Sequence, residues 1–116
     1  MRDEIKLYIF ISQPMHGLSM KQIMDLRQDI IVKRLNLHRG HVRIIDNINK
    51  EDIPYEAGRV WCLGDSIKLM DEADIVVFAP GWEKARGCRI EHKVCEEYGI
   101  PYIDLSEEDY RYDRNC

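Results

Sequence analysis

The chain has 116 residues, 45% of them hydrophobic and 33% charged, with 17 basic against 21 acidic side chains and a net charge of −4. That length holds one core rather than two, and the acidic balance speaks against nonspecific binding to a nucleic-acid backbone. The apolar run in the opening MRDEIKLYIFIS is too short for a bilayer and no signal-peptide cleavage pattern accompanies it, so no membrane contact is expected and cytoplasm is the default compartment.

Ile5 to Ile11 is rich in Ile, Leu, Tyr and Phe, with Lys6 as its one charge, and reads as an interior strand of a parallel sheet. It breaks at Ser12-Gln13-Pro14, and Met15-His16-Gly17-Leu18 continues the loop. Ser19-Met20-Lys21-Gln22 has the spacing of a capping box. From there Ile23, Met24, Arg27, Ile30, Ile31 and Leu35 recur at helical spacing, with Gly40 as the stop. Val42 to Ile45 reads as a second strand that ends in the polar loop Asp46-Asn47-Ile48-Asn49, and Lys50 to Pro54 reads as further loop. Past Pro54, Val60, Leu63, Ile67 and Met70 mark a second helix. Asp74 to Ala79 is a third, almost wholly apolar strand. A helix then runs from Gly87 to a C-cap at Gly99, with Pro101 just beyond it, and Tyr102 to Leu105 is a fourth strand. The tail Ser106 to Cys116 carries alternating charge and reads either as a solvated end or as an arm laid on a neighbouring subunit.

The order β-α-β-α-β-α-β with short connections predicts a single domain over the whole chain, an open parallel sheet of the flavodoxin-like or Rossmann-like α/β/α kind with about four strands in the order 2-1-3-4. Ligands in such sheets bind beyond the carboxyl ends of the strands where the order reverses, here between strands 1 and 3. Two loops meet there, Ser12 to Ser19 and Pro80 to Gly87. Their Ser12, Gln13, Pro14, Met15, His16, Gly17, Gly81, Trp82, Arg86 and Gly87, with Arg27 from the first helix, form the candidate substrate-binding set.

Projected at about 100° per residue, Cys88, Ile90, Val94, Cys95 and Tyr98 of the third helix fall on one side, and Arg89, His92, Lys93, Glu96 and Glu97 on the other. Glu91 breaks the pattern, because it falls inside the apolar arc. Burying an unpaired carboxylate costs several kcal/mol. The helix macrodipole and the nearby Arg86 and Arg89 can hold it charged, and a fixed, partly desolvated carboxylate is what a nucleophile or general base requires. The plainer alternative is a glutamate paired with an arginine to tie the loop down. Cys62, Cys88, Cys95 and Cys116 form no C-x-x-C pair and read as reduced thiols. Cys88, His92 and Cys95 share one helix flank but lack a fourth ligand, so no metal is expected.

No G-x-G-x-x-G follows strand 1 and no P-loop motif occurs, which excludes the dinucleotide and P-loop readings. No nucleophile elbow is present. What remains is Glu91 at the switch point, a helix N-terminus at Gly87 able to take an anion on its amides, and Lys84, Arg86 and Arg89 nearby. Trp82 either offers a face for a base or plugs the edge of the core. His16 is either a ligand contact or a solvated loop side chain, and Arg27 either a phosphate contact or a surface charge.

ISQPMHGLS at Ile11 to Ser19, LGDSIKLMDEADIVVFAPGW at Leu63 to Trp82 and ARGCRIEHKVCEEYGI at Ala85 to Ile100 resemble a phage-rich family of unknown function related to nucleoside 2-deoxyribosyltransferases and deoxynucleotide N-hydrolases. In those enzymes a glutamate of the third helix attacks the anomeric carbon and expels the base, and water or a second base resolves the glycosyl-enzyme. The resemblance implies that Glu91 is that nucleophile, that Gly87 helps hold a 5′-phosphate, and that Ser66, or Asp65 beside it, assists the base. It also implies a nucleoside or nucleotide ligand, a homo-oligomer, and no metal or organic cofactor. Three positions depart from the pattern: Phe10 replaces a strand-1 tyrosine that orients the nucleophile, Gln13 replaces a glycine, and Ala85 replaces a polar residue. The expectation is therefore an enzyme acting on an N-glycosidic bond. Two alternatives stay open: a protein that binds a nucleotide or nucleotide-derived signal without breaking it, and a scaffold whose Glu91 is only a buried ion-pair partner.

Overall fold

The structure is a computed structural model that describes residues 6–47 and 58–106. Four strands, β1 (Leu7–Ser12), β2 (Val42–Ile44), β3 (Ile75–Phe78) and β4 (Tyr102–Asp104), form one parallel sheet in the order β2-β1-β3-β4. Three helices, α1 (Met20–Asp29), α2 (Arg59–Met70) and α3 (Arg86–Tyr98), complete a three-layer α/β fold. In β1 the pleat sends alternate side chains to opposite faces. Ile9 and Ile11 pack with Ile30, Ile31, Val42, Val77 and Ala79 on the side of α1. Phe10 packs with Ile45, Met70, Val76, Phe78 and Cys95 on the side of α2 and α3. Both faces are covered, which is why the inner strands are apolar without alternation.

Register fixes where the site forms. Ile9 lies opposite Ile44 on one side and Ile75 on the other, and Ser12 lies opposite Phe78. The Ala79 N–H donates to the Ser12 carbonyl at 2.9 Å, so the chain leaves β1 and β3 at the same level. Gly81, with φ of 89°, turns the second loop so that even a Cβ added there would stand 3.9 Å from Pro14 Cγ. Gly17, with φ of 81°, turns the first loop, and the Leu18 N–H closes it onto the Met15 carbonyl at 3.1 Å.

The strand limits differ from expectation by a residue or two, and β1 extends through Ser12. The first helix does not run to Gly40. After Asp29 it widens into a π-helical segment, Ile30–Arg34, and the chain reverses at Asn36, whose φ is 54°. The Leu37 N–H bonds back to the Ile31 carbonyl at 2.9 Å, so Asn36 takes the left-handed stop position that asparagine tolerates. In α2, Met70 is buried but Val60 is 83% exposed, so the apolar face is shorter than its spacing implied. Lys50 to Pro54 and nearly all of the tail lie outside the described residues. Among the described residues no helix is long and apolar enough to cross a membrane.

The α1 capping box forms as its spacing predicts: Ser19 Oγ accepts from the Gln22 N–H at 3.1 Å and Gln22 Oε1 accepts from the Ser19 N–H at 2.8 Å. Ser19→Ala therefore lowers stability by about 1 kcal/mol, and Ser19→Asp restores most of it. Urea unfolding checks this; equal midpoints for wild type and Ser19→Ala would show that the cap contributes nothing.

Candidate functional site

Glu91 is 7% exposed in the middle of α3, with Cys88 and Cys95 buried one turn to either side. Its partner comes from the far end of β1. Ser12 Oγ donates to Glu91 Oε1 at 2.6 Å, across 79 positions of sequence. Burial pushes the carboxyl up to about 6, while the Ser12 hydrogen bond and then the Arg27 charge pull it down. It is thus mostly ionised at neutral pH. The hydroxyl that meets the nucleophile candidate belongs to Ser12, two residues after Phe10 and on the same face of the strand; Phe10 itself is fully buried in the core.

Arg27 is not a surface charge, because it is 2% exposed and two of its three nitrogens donate to groups inside the protein. Its Nε–H donates to Gln13 Oε1, and Nη2 donates to Asn47 Oδ1 at 2.7 Å and to the Ile11 carbonyl at 3.4 Å. Burial lowers its pKa to about 10, against the charges of Asp46 and Glu91, and it stays protonated at neutral pH. The cation that supports Glu91 is therefore Arg27 rather than Arg86 or Arg89. Arg86 is exposed, and Arg89 Nη1 donates to the Glu83 carbonyl at 3.0 Å.

Around the carboxylate lies a pocket of about 210 Å³, lined by Ser12, Gln13, Met15, Asn47, Ser66, Ala85, Gly87, Cys88 and Glu91. It gathers six of the sequence-predicted site residues: Ser12, Gln13, Met15, Ser66, Gly87 and Glu91. Arg27 stands behind it through Gln13. Pro14, His16, Gly17, Gly81, Trp82 and Arg86 do not line it, and Asp65 faces a separate depression with Trp61, Gly64 and Lys68. On α2, then, Ser66 is the residue turned toward Glu91. Asn47 and Cys88 were missed as site residues. Asn47 follows the end of β2, so the same strand-end rule that singled out the other loops would have found it. Cys88 lies on the apolar arc one turn before Glu91, and burial raises its thiol to about 11, which leaves it neutral.

His92 overturns the helical projection. It is 8% exposed, its ring stacks on Trp82 at 4.1 Å between centroids and 7° between planes, and Nε2 lies 3.0 Å from Asp104 Oδ1. Trp82 thus caps the core edge over Phe78 and His92 and does not offer a free face to the pocket. Tyr98, placed on the apolar arc, is 80% exposed at the rim of a groove between α2 and α3. Among the described residues no group of three or more His, Cys, Asp or Glu side chains can hold a metal ion. Comparison with known proteins finds no matching family model, no matching curated protein and no matching solved structure.

A carboxyl whose folded pKa stands near 6, above its ordinary 4.5, favours the folded state fully below pH 4.5 and loses that contribution as pH rises through 6. Relative to Glu91→Gln, the wild type should lose on the order of 1–2 kcal/mol of stability across that interval. Urea titrations of both proteins over that range read the difference, and a flat difference would show that Glu91 titrates as an ordinary surface acid.

Proposed function

We propose that this chain is a nucleoside- or nucleotide-processing enzyme that cleaves or transfers at the N-glycosidic bond, with Glu91 as the nucleophile. The observation that carries this reading is a buried, ionised carboxylate held by a single hydroxyl at the floor of a pocket. Ser12 occupies Oε1, so Oε2 is the atom that attacks the anomeric carbon. The carbon–nitrogen bond breaks as the carbon–oxygen bond forms, and water or a second base then displaces Glu91 in a two-step retaining sequence. Ala85 provides no side-chain cap for α3, which leaves the first amides of the helix near Gly87 for a phosphate or ribose oxygen. Ser66 reaches the base. No metal or organic cofactor enters this chemistry. In keeping with the family resemblance, the protein acts in the cytoplasm as a homo-oligomer.

One observation favours a second reading, capture of a nucleotide or nucleotide-derived signal without cleavage. Glu91 is the single carboxyl among the described residues lining the pocket, so no second acid stands by to protonate a leaving base.

Incubation with a panel of nucleosides and 5′-nucleotides separates the two. Free base in the mixture supports the enzyme, and a thermal shift with ligand recovered intact supports the binder. Glu91→Ala should reduce base release on the order of a thousandfold or more while the circular dichroism stays that of the wild type. Undiminished release by Glu91→Ala would refute the nucleophile assignment.

A further inference from the structure

Val60, Trp61, Leu63, Ile67, Leu69 and Met70 make α2 the most apolar of the three helices, yet among its described residues Met70 alone is buried. Its two sides account for this. At about 100° per residue, Leu63, Ser66 and Met70 share one side, and they turn inward: Leu63 Cδ1 lies 3.9 Å from where a Cβ on Gly87 would stand, Ser66 lines the Glu91 pocket and Met70 enters the core. Trp61, Gly64, Asp65 and Lys68 occupy the opposite side and line a depression of their own. There Trp61 is 42% exposed, and a Cβ on Gly64 would meet nothing within 4 Å. Tryptophan is the side chain that most often anchors a protein interface, and a glycine lets a second backbone come close.

We infer that this outer side of α2 docks a second copy of the chain, with the two α2 helices antiparallel about a two-fold axis at Gly64 and Asp65. The inference deepens the homo-oligomer of the proposed function by naming its surface, and it rests on that part of the reading alone. The midpoint of Arg59–Met70 falls between Gly64 and Asp65. Trp61 and Lys68 stand equally far from it, so the axis sets Trp61 opposite Lys68 of the partner subunit, twice over. An ammonium over an indole face is a favourable contact. Lys68 also borders a groove of about 640 Å³ between α2 and α3, whose apolar walls are Ile67, Val94, Tyr98 and Ile100. The partner's Trp61 therefore arrives at the edge of an apolar recess.

The charges at the ends of α2 suit an antiparallel neighbour better than they suit the helix itself. Its N-cap is Gly58 and its first turn holds no acid, while Asp71 caps its C-terminus and Glu72 follows. Carboxylates oppose the dipole at a helix C-terminus and favour it at an N-terminus. Gly58 and Asp71 are also equally far from the midpoint, so the pairing brings Asp71 and Glu72 to the N-terminus of the partner helix. A different protein would have to supply a site for Trp61, a face for Lys68 and a helix start for the two acids, whereas a second copy carries all three. Ser66 lies on the inward side, so the Glu91 pocket stays open.

The test is the mass in solution, by light scattering and sedimentation equilibrium, of the wild type, Trp61→Ser, Gly64→Gln and the control Lys21→Gln, whose side chain is exposed on α1. Gly64→Gln adds atoms into open space and raises helix propensity, so the monomer keeps its fold while the approach of a second helix is blocked. Circular dichroism checks that fold. The expected result is a dimer, or a multiple of one, for the wild type and Lys21→Gln. The dissociation constant should rise roughly tenfold or more in Trp61→Ser and Gly64→Gln. In a Cys62→Ser, Cys116→Ser background, a short bismaleimide should link Gly64→Cys into a covalent dimer and leave Lys21→Cys unlinked. An oligomer indifferent to both α2 variants, or linked through Lys21→Cys in place of Gly64→Cys, overturns the α2 surface and leaves the homo-oligomer standing. A monomeric wild type, its α2 face covered by the chain's own residues or by another protein, overturns both. Base release by the wild type tests the N-glycosidic reading whichever way the mass falls.

Discussion

A carboxylate in a protein interior persists only if something offsets its lost hydration, and here that work falls to the end of one strand. Ser12, the last residue of β1, donates to Glu91 at 2.6 Å, and the backbone just before it accepts from Arg27 at the Ile11 carbonyl. Glu91 arrives from α3 on one face of the sheet and Arg27 from α1 on the other. Neither helix could place its charged side chain inside the fold without the other elements in position. The polar cluster therefore depends on the complete three-layer packing.

The strand order explains why this happens at β1 and not elsewhere. The order reverses between β1 and β3, so the loops that leave these two strands run to opposite sides and open a gap between their ends. Pairing of Ser12 with Phe78, reinforced by the Ala79-to-Ser12 hydrogen bond, sets the two loop origins level. The left-handed turn at Gly81 then brings the second loop toward Pro14. The result is a cavity lined by the end of β1 and its loop, by Asn47 after β2, by Ser66 of α2, and by Ala85 with the first turns of α3.

Much of this was legible in the chain. Periodicity and strand composition predicted the sheet order, and the projection of α3 isolated Glu91 because one acidic residue on an apolar arc violates a rule that its neighbours obey. Arg27 carried the same signal, a charge at the spacing of Ile23 and Ile30, and was read too blandly. What sequence could not supply were relations set by tertiary contact. His92 sits on the polar side of the projection and is buried because Trp82 and Asp104 close over it. Tyr98 sits on the apolar side and is exposed because it only rims the groove beyond the sheet. Asp65 and Ser66 are adjacent, and a helix turns about 100° between neighbours, so only the docked orientation of α2 tells which faces the pocket. The bond between Gln13 and Arg27 spans two elements whose residues were each marked separately.

The arrangement around Glu91 also separates two ways of keeping an acid ionised. A direct bidentate ion pair with Arg27 would have held the carboxyl low, but it would have tied up both oxygens and left a poor nucleophile. Burial without any partner would have raised the pKa further and left the group protonated at neutral pH. Among the described residues Arg27 gives its hydrogen bonds to Gln13, Asn47 and the Ile11 carbonyl, and acts on Glu91 only through its charge. Ser12 takes one oxygen. The outcome is a carboxyl near 6, charged at neutral pH, with its second oxygen free of that bond. For the nucleophilic role proposed above this compromise is more useful than either extreme, and it accounts for a buried arginine that gives these hydrogen bonds to groups other than the acid it supports.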